Sequence, residues 1–263
     1  MGTVRQPAVA GLFYPAQAAL LQQQVLQYLQ QATTTGPRPK ALVVPHAGYV
    51  YSGPVAASAY HLLQPLAETI KRVVLLGPSH RVAFSGLAMS SAGAFHTPLG
   101  DIPLDSEAHE VIRDFPGVRV FDRAHAEEHS LEVHLPFLQS VLSRFTLVPL
   151  VVGDASTEEV GLAIEALWGG EETLVVVSSD LSHYHDYETA RRLDMATTRA
   201  IESLQTEPLQ GEQACGCRPI NGLLYVVRKL GLSIRAIDVR NSGDTAGARD
   251  RVVGYGAYVI ASS

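Results

Sequence analysis

The sequence predicts an α/β fold, a three-layer α/β/α sandwich around a central, mostly parallel mixed sheet. Three observations predict it. Short Val/Leu runs alternate with longer segments of helical period. Several of those runs are continuous, without polar alternation, as in strands covered on both faces. The composition, 46% hydrophobic and 17% charged over 263 residues, supplies apolar side chains for a large core.

The elements follow in order. The expected strands are Ala41–Val44, Val73–Leu76, Leu87–Ser90, Thr146–Val151, Leu174–Val177, Ser233–Val239 and Val252–Ile260. The expected helices are Ala18–Gln31, Val55–Leu63, Ser106–Arg113, Ser130–Arg144, Thr157–Leu167, Tyr187–Ser203 and Ile220–Leu230. The fourth helix places Leu131, Leu135, Leu138 and Leu142 on one face. Gly231 stands where a C-cap glycine ends the last helix. The Thr/Gly/Pro-rich stretch 33–39 reads as a connection into the first core strand, and no linker or repeat divides the chain. A single domain over residues 1–263 is expected.

Composition also excludes classes of function. A formal charge of −6, with no basic block or stripe, argues against a nucleic-acid partner. The longest apolar runs are far short of the roughly 20 residues that cross a bilayer, so no membrane partner is expected. The N-terminus lacks the charged and apolar regions of a signal peptide. Cys215 and Cys217 are the two cysteines and lie too close for an ordinary structural disulfide. A cytoplasmic location follows as an expectation.

Chemistry collects where strand runs end. Ala-Leu-Val-Val stops at Pro45-His46-Ala47-Gly48, Val-Val-Leu-Leu at Gly77-Pro78-Ser79-His80, and Leu-Val-Val-Val at Ser178-Ser179-Asp180-Leu181-Ser182-His183. Ligands of open α/β sheets bind outside the carboxyl ends of the strands. Parallel strands would therefore gather His46, His80, Asp180 and His183 at one edge. Imidazoles bind borderline metals, and a thiolate would complete the set. Cys215, just ahead of a helix, is the expected third ligand, and the helix N-terminus is expected to lower its pKa. Asp180 is positioned in sequence to orient an imidazole by accepting its second N–H.

A second cluster runs through His125, Glu128, His129, Glu132 and His134. It misses the HxxEH signature because Val133 separates Glu132 from His134, and HExxH is absent. Ser79 lacks a nucleophile elbow, since Arg81 occupies the final glycine position. A zinc protease and an α/β-hydrolase are therefore discounted. Whether His125, His129 and Glu132 form a site or a charged helix start stays open. His61, His96, His109 and His185 read as ordinary surface or structural histidines. Tyr49, Tyr51 and Tyr184 either line a pocket or cover the sheet edge.

PHAGYVYSGPVAA, LLGPSHR, EHSLEVHLPFLQ, VSSDLSHYH and ACGCRPI, in that order, resemble the Memo family, whose prokaryotic members are named as protein B of the AmmeMemoRadiSam system. The resemblance extends from GLFYPA to GDTAGARDRVVGYGAYVI. It implies a fold shared with class III extradiol dioxygenases, which hold Fe(II) on two histidines and a glutamate. On that comparison His46 and His80 stand for the histidine ligands and Cys215 for the glutamate. His183 stands for the acid/base histidine, with Asp180 supporting it.

The resemblance implies Fe(II), with copper or zinc as the alternatives that the softer thiolate opens. Its implied activity is an O2-linked or redox oxidoreductase acting on a small phenolic substrate. The alternative is a non-catalytic metal- or peptide-binding adaptor using the same cleft. Partnership with an AMMECR1-like protein and a radical SAM protein is also implied. A third reading is a metal-free Cys215/His183/Asp180 nucleophilic enzyme.

Overall fold

In this computed structural model residues 2–261 are described. The chain opens with β1 (Val4–Arg5), α1 (Ala18–Gln31), β2 (Pro39–Val44) and α2 (Tyr49–Tyr60). There follow β3 (Arg72–Pro78), β4 (Leu87–Met89), β5 (Ala94–Thr97), β6 (Gly100–Pro103), α3 (Ser106–Ile112), β7 (Val118–Val120) and α4 (Arg123–Ala126). Next are α5 (Leu135–Val141), β8 (Thr146–Val152), α6 (Thr157–Ala166), β9 (Thr173–Ser178) and β10 (Asp180–His185). The remainder comprises α7 (Tyr187–Glu202), α8 (Cys217–Lys229), β11 (Ile234–Asn241) and β12 (Val252–Ala261).

The main sheet runs β10-β12-β2-β9-β3-β8-β4-β7, with β11 also on β12. Its centre is parallel: β2 on β9, β9 on β3, and β3 on β8. Antiparallel pairing flanks that centre at β12 with β2 and at β4 with β8. The sheet is therefore mixed. β1, β5 and β6 form a small separate sheet.

Strand side chains alternate between two cores. Leu42, Val44, Val73, Leu75, Leu174 and Val176 join α1, α2 and α5 on one face. Ala41, Val43, Val74, Leu76, Val175 and Val177 join α6 and α8 on the other. Both faces are dry, so the strands need no polar alternation. This is the expected three-layer arrangement. Among the described residues no helix is long and apolar enough to cross a membrane.

Two expected helices change shape. α2 begins at Tyr49, six residues before the expected Val55, and carries Pro54 within it. Ser52 donates its backbone N–H to Gly48, which starts the helix upstream of the proline. A ring inside a helix removes one N–H, a cost this buried segment tolerates. The expected Ser130–Arg144 helix is instead a 3-10 turn, Glu132–His134, followed by α5, with Pro136 in the first turn of α5. Proline restricts the residue before it and favours a fresh start there. Leu131, Leu135, Leu138 and Leu142 are nonetheless all buried. At the end of α8, Gly231 takes φ +65°, as its capping position requires.

After β9 the chain does not simply turn. It runs on in the same direction into β10, which crosses to the far side of β12 and pairs with it antiparallel, with register shifts on both sides of His183. Tyr184 there adopts φ +64° and is exposed. Bulges and left-handed non-glycine residues redirect side chains, and both occur beside sites.

Candidate metal centre

His46 follows β2, His80 follows β3, and Asp180 opens β10 directly after β9. The adjacent parallel strands β2, β9 and β3 place all three at one sheet edge. Cys215 reaches the same edge from the loop before α8, where its backbone N–H donates to the Asp180 carbonyl (3.3 Å). One ligand atom from each of His46, His80 and Cys215 lies within 4.8 Å of the others. His46 Nε2 is 3.3 Å from Cys215 Sγ.

The donor set fits a transition metal, because both histidines have Nδ1 occupied elsewhere. His46 Nδ1 is 2.6 Å from Ser178 Oγ. His80 Nδ1 donates to Glu128 Oε1 at 2.9 Å. Each ring thus turns Nε2 toward the cluster, with its other nitrogen held by a neighbour, as metal-binding imidazoles require. Glu128 is saturated by N–H groups from His80, His129 and Ser130. Burial would raise its pKa, but the His80 and Ser130 bonds overcome that and hold the carboxyl at about 2.

His129 completes the cluster of rings. It stacks on His80 with centroids 4.6 Å apart and meets His46 edge-on at 5.4 Å. Phe13 covers it at 4.7 Å. Its Nδ1 is 3.3 Å from Glu128 Oε1, but the approach is out of line and the nitrogen is buried without a hydrogen bond. Burial and neighbouring His80 push His129 down to about 4, so it is neutral near pH 7. His46 is likewise held well below the ordinary imidazole value by burial and then by His80 and His129.

The remaining sequence candidates separate into distinct roles. His183 lies on β10, close enough to His46 for their charges to interact. Its Nδ1–H donates to the Leu181 carbonyl at 2.8 Å, leaving Nε2 as a lone-pair acceptor. Asp180 does not orient an imidazole. Its Oδ1 accepts the backbone N–H of His46 at 2.7 Å and so pins the turn after β2. Burial raises Asp180 to about 7, against the lowering effect of the His46 and Ala47 backbone donors.

The Cys215 thiol is pushed up, not down as the helix N-terminus had suggested. Burial is the main cause and the nearby Asp180 carboxyl adds to it. The residue precedes Gly216, the N-cap of α8, and lies outside the first turn where the dipole acts. A thiol so placed becomes a thiolate when a cation offsets the charge, which disfavours the metal-free nucleophile.

Within the second histidine cluster, His125 and Glu132 are structural, whereas Glu128 and His129 sit against His80 with ligand atoms within 4.8 Å of one another. His125 Nε2–H donates to the Ala88 carbonyl at 2.9 Å. Glu132 is fully buried and accepts from Arg5, from the backbone N–H groups of Ala8 and Val9, and from the Tyr14 hydroxyl. It ties the N-terminal segment down and, among the described residues, belongs to no ligand set. Glu128 and Ser178 went unassigned in the sequence. The only hint was their adjacency to His129 and Asp180, since each contact spans more than 45 residues. Tyr49 is buried with its hydroxyl on the Val133 carbonyl, whereas Tyr51 and Tyr184 are exposed.

A cavity of about 830 Å³ adjoins the cluster between Phe84, Gly153, Thr157 and Arg218. It reaches the centre through Ser79 and Cys215, not through the histidines.

Comparison with known proteins agrees with this architecture. The family model described as Memo-like protein matches residues 5–259. A "MEMO1 family protein" of Aquifex aeolicus is 37% identical over 96% of this chain and 97% of its own length. One from Aeropyrum pernix is 35% identical over 98% and 99%, and one from Methanocaldococcus jannaschii is 33% identical over 99% and 100%. A crystal structure of an uncharacterized Escherichia coli K12 protein superposes with a TM-score of 0.50 at 14% identity, covering 83% of this chain and 98% of that one. That likeness concerns the fold alone. With the match running across nearly the whole chain, this protein belongs to the Memo family.

Proposed function

We propose that this protein binds a transition metal through His46, His80 and Cys215 and acts as a metal-dependent redox enzyme. The observation that carries the reading is the convergence of three ligand atoms within 4.8 Å, with both imidazole Nδ1 atoms engaged elsewhere. Fe(II) is the expected ion, and the thiolate makes copper or zinc the alternatives. When bound, the metal supplies a Lewis-acidic, redox-capable centre.

The chain's own residues supply the rest. Glu128 and Ser178 orient the two imidazoles. His183 presents a free Nε2 and, kept neutral chiefly by burial, is the general base for a phenolic or other acidic hydroxyl.

The test is elemental analysis of protein purified without oxygen or added metal, comparing wild type with His46→Ala and Cys215→Ala. Near-stoichiometric iron in wild type, lost in both variants while the fold is kept, is expected. No metal in wild type, and none taken up on reconstitution, would overturn the reading. A second reading, an aromatic or peptide-binding surface, draws on the exposed Tyr51 and Tyr184 rings at this edge. It requires binding that survives complete chelation.

A further inference from the structure

Behind His46 a chain of buried polar groups runs from Ser178 away from the metal site. Ser178, the last residue of β9, is fully buried. Its Oγ is within hydrogen-bond distance of three atoms: the Ser130 carbonyl oxygen (2.6 Å), His46 Nδ1 (2.6 Å) and His134 Nε2 (2.8 Å). His134 Nδ1 in turn lies 2.9 Å from the Tyr60 hydroxyl. His134 is 1% exposed and Tyr60 0% exposed, so water does not mediate these contacts.

Counting protons resolves the network. A serine hydroxyl donates one hydrogen bond and accepts two. The Ser130 carbonyl can only accept, so the single Ser178 proton goes there. Both imidazole nitrogens facing Ser178 must then donate. His46 is therefore protonated on Nδ1 and bare on Nε2, the atom turned toward Cys215. His134 is protonated on Nε2 and accepts the Tyr60 hydroxyl proton on Nδ1. With these assignments every contact pairs one donor with one acceptor.

We propose that Ser178 is a positioning residue which, by committing its proton to the Ser130 carbonyl, fixes His46 in the Nδ1–H tautomer and readies Nε2 for a metal. Free imidazole side chains favour the opposite tautomer slightly, so the hydroxyl holds the ring in its less common form. The same loop serves both ligands. Glu128 receives the Nδ1–H of His80, and two residues on, the Ser130 carbonyl sets the direction of Ser178. The Ser130 side chain is anchored on the Pro78 carbonyl at 2.8 Å, so the loop is itself fixed against β3.

The assignment of His46 follows from the protein alone; its consequence for affinity rests on the metal reading above. Two readouts therefore separate them. In metal-free protein labelled with 15N-histidine, long-range 1H–15N correlations should show His46 with a protonated Nδ1 and a bare Nε2. Ser178→Ala should shift His46 toward the Nε2–H form, whose proton then faces the Cys215 sulfur. Zinc affinity of that variant should fall roughly 10- to 100-fold, as for other lost partners of ligand histidines.

Tyr60→Phe breaks the far end of the same buried chain and leaves the His46–Ser178 contact in place. It should keep the wild-type His46 tautomer, which a general structural loss would not. An Nε2–H His46 in the wild type overturns the proposal without any variant. So does an unchanged tautomer in Ser178→Ala. Wild type that shows the Nδ1–H form but takes up no zinc would instead count against the metal reading.

Discussion

Replacing Glu132 by glutamine separates anchor from ligand. The sequence leaves open whether Glu132 belongs to a site or to a charged helix start. In the fold its carboxylate receives Arg5, two backbone N–H groups at 2.7 and 3.0 Å, and the Tyr14 hydroxyl at 2.6 Å. Glu132 is 0% exposed and the Arg5 side chain 7% exposed. Glutamine retains one oxygen and turns an NH2 group toward donors. It also strips the guanidinium of its counter-charge, leaving the His125 and Glu128 carbonyls and the Phe95 ring around it. Removing one member of a buried ion pair costs about 3–5 kcal/mol. For a chain of this size each kcal/mol moves Tm by about 2–4 °C. The expected fall in Tm is thus on the order of 10 °C, measured by calorimetry on metal-free protein. Adding Arg5→Met should recover part of the loss by removing the stranded cation, but not all, because Ala8, Val9 and Tyr14 still lack their acceptor. Metal stoichiometry should be unchanged. A Tm within about 2 °C of wild type, or lost metal at unchanged Tm, would refute this account.

Acid should destabilise the metal-free protein through its buried histidines. His125 and His129 are held near 4 and His134 near 3, chiefly by burial. Folded values below the unfolded 6.5 mean that stability is full above pH 6.5 and lost as pH falls toward those values. By pH 5 each imidazole costs roughly 2 kcal/mol, and Asp180, raised to about 7, returns a similar amount. Glu128, depressed to about 2, adds a further loss below pH 4.5. Asp194, raised to about 6, returns about 1 kcal/mol more, and the net loss of about 3 kcal/mol between pH 7 and 5 should appear as a lower urea midpoint; a midpoint unmoved or higher at pH 5 contradicts it. Gly216→Ala should cost about 1–3 kcal/mol and weaken metal retention, because a Cβ there would lie 2.4 Å from the Ser178 carbonyl oxygen. Retained stability and metal would show that the approach of this loop to β9 is looser than described. Cys215 in metal-free protein should react slowly with iodoacetamide at pH 7, since burial and Asp180 keep it a thiol; rapid alkylation would restore the nucleophile reading.

Much of the architecture was legible in the residues. Continuous Val/Leu runs at 41–44, 73–76 and 174–177 could only be strands covered on both sides, and they became β2, β3 and β9. Strand-tip histidines then followed from topology, because parallel neighbours deliver their C-terminal loops to one edge. The Memo motifs agreed with that placement. What stayed hidden depended on contacts remote in sequence. Pro54 and Pro136 blurred the starts of α2 and α5, since helix limits there are set by packing and by the turns before them. Asp180 stands three residues from His183 yet binds the backbone of His46, because it follows β9 directly and β9 lies beside β2, whose end carries His46. The Cys215 thiol followed burial and not the helix dipole, and burial is a property no local window contains. Glu128, Ser178 and the buried path to Tyr60 emerged only with the tertiary structure. The sequence alone determined which side chains could carry the chemistry and which end of the sheet would receive them. The fold decided their partners, because donors and acceptors far apart along the chain are matched only when the layers close over them.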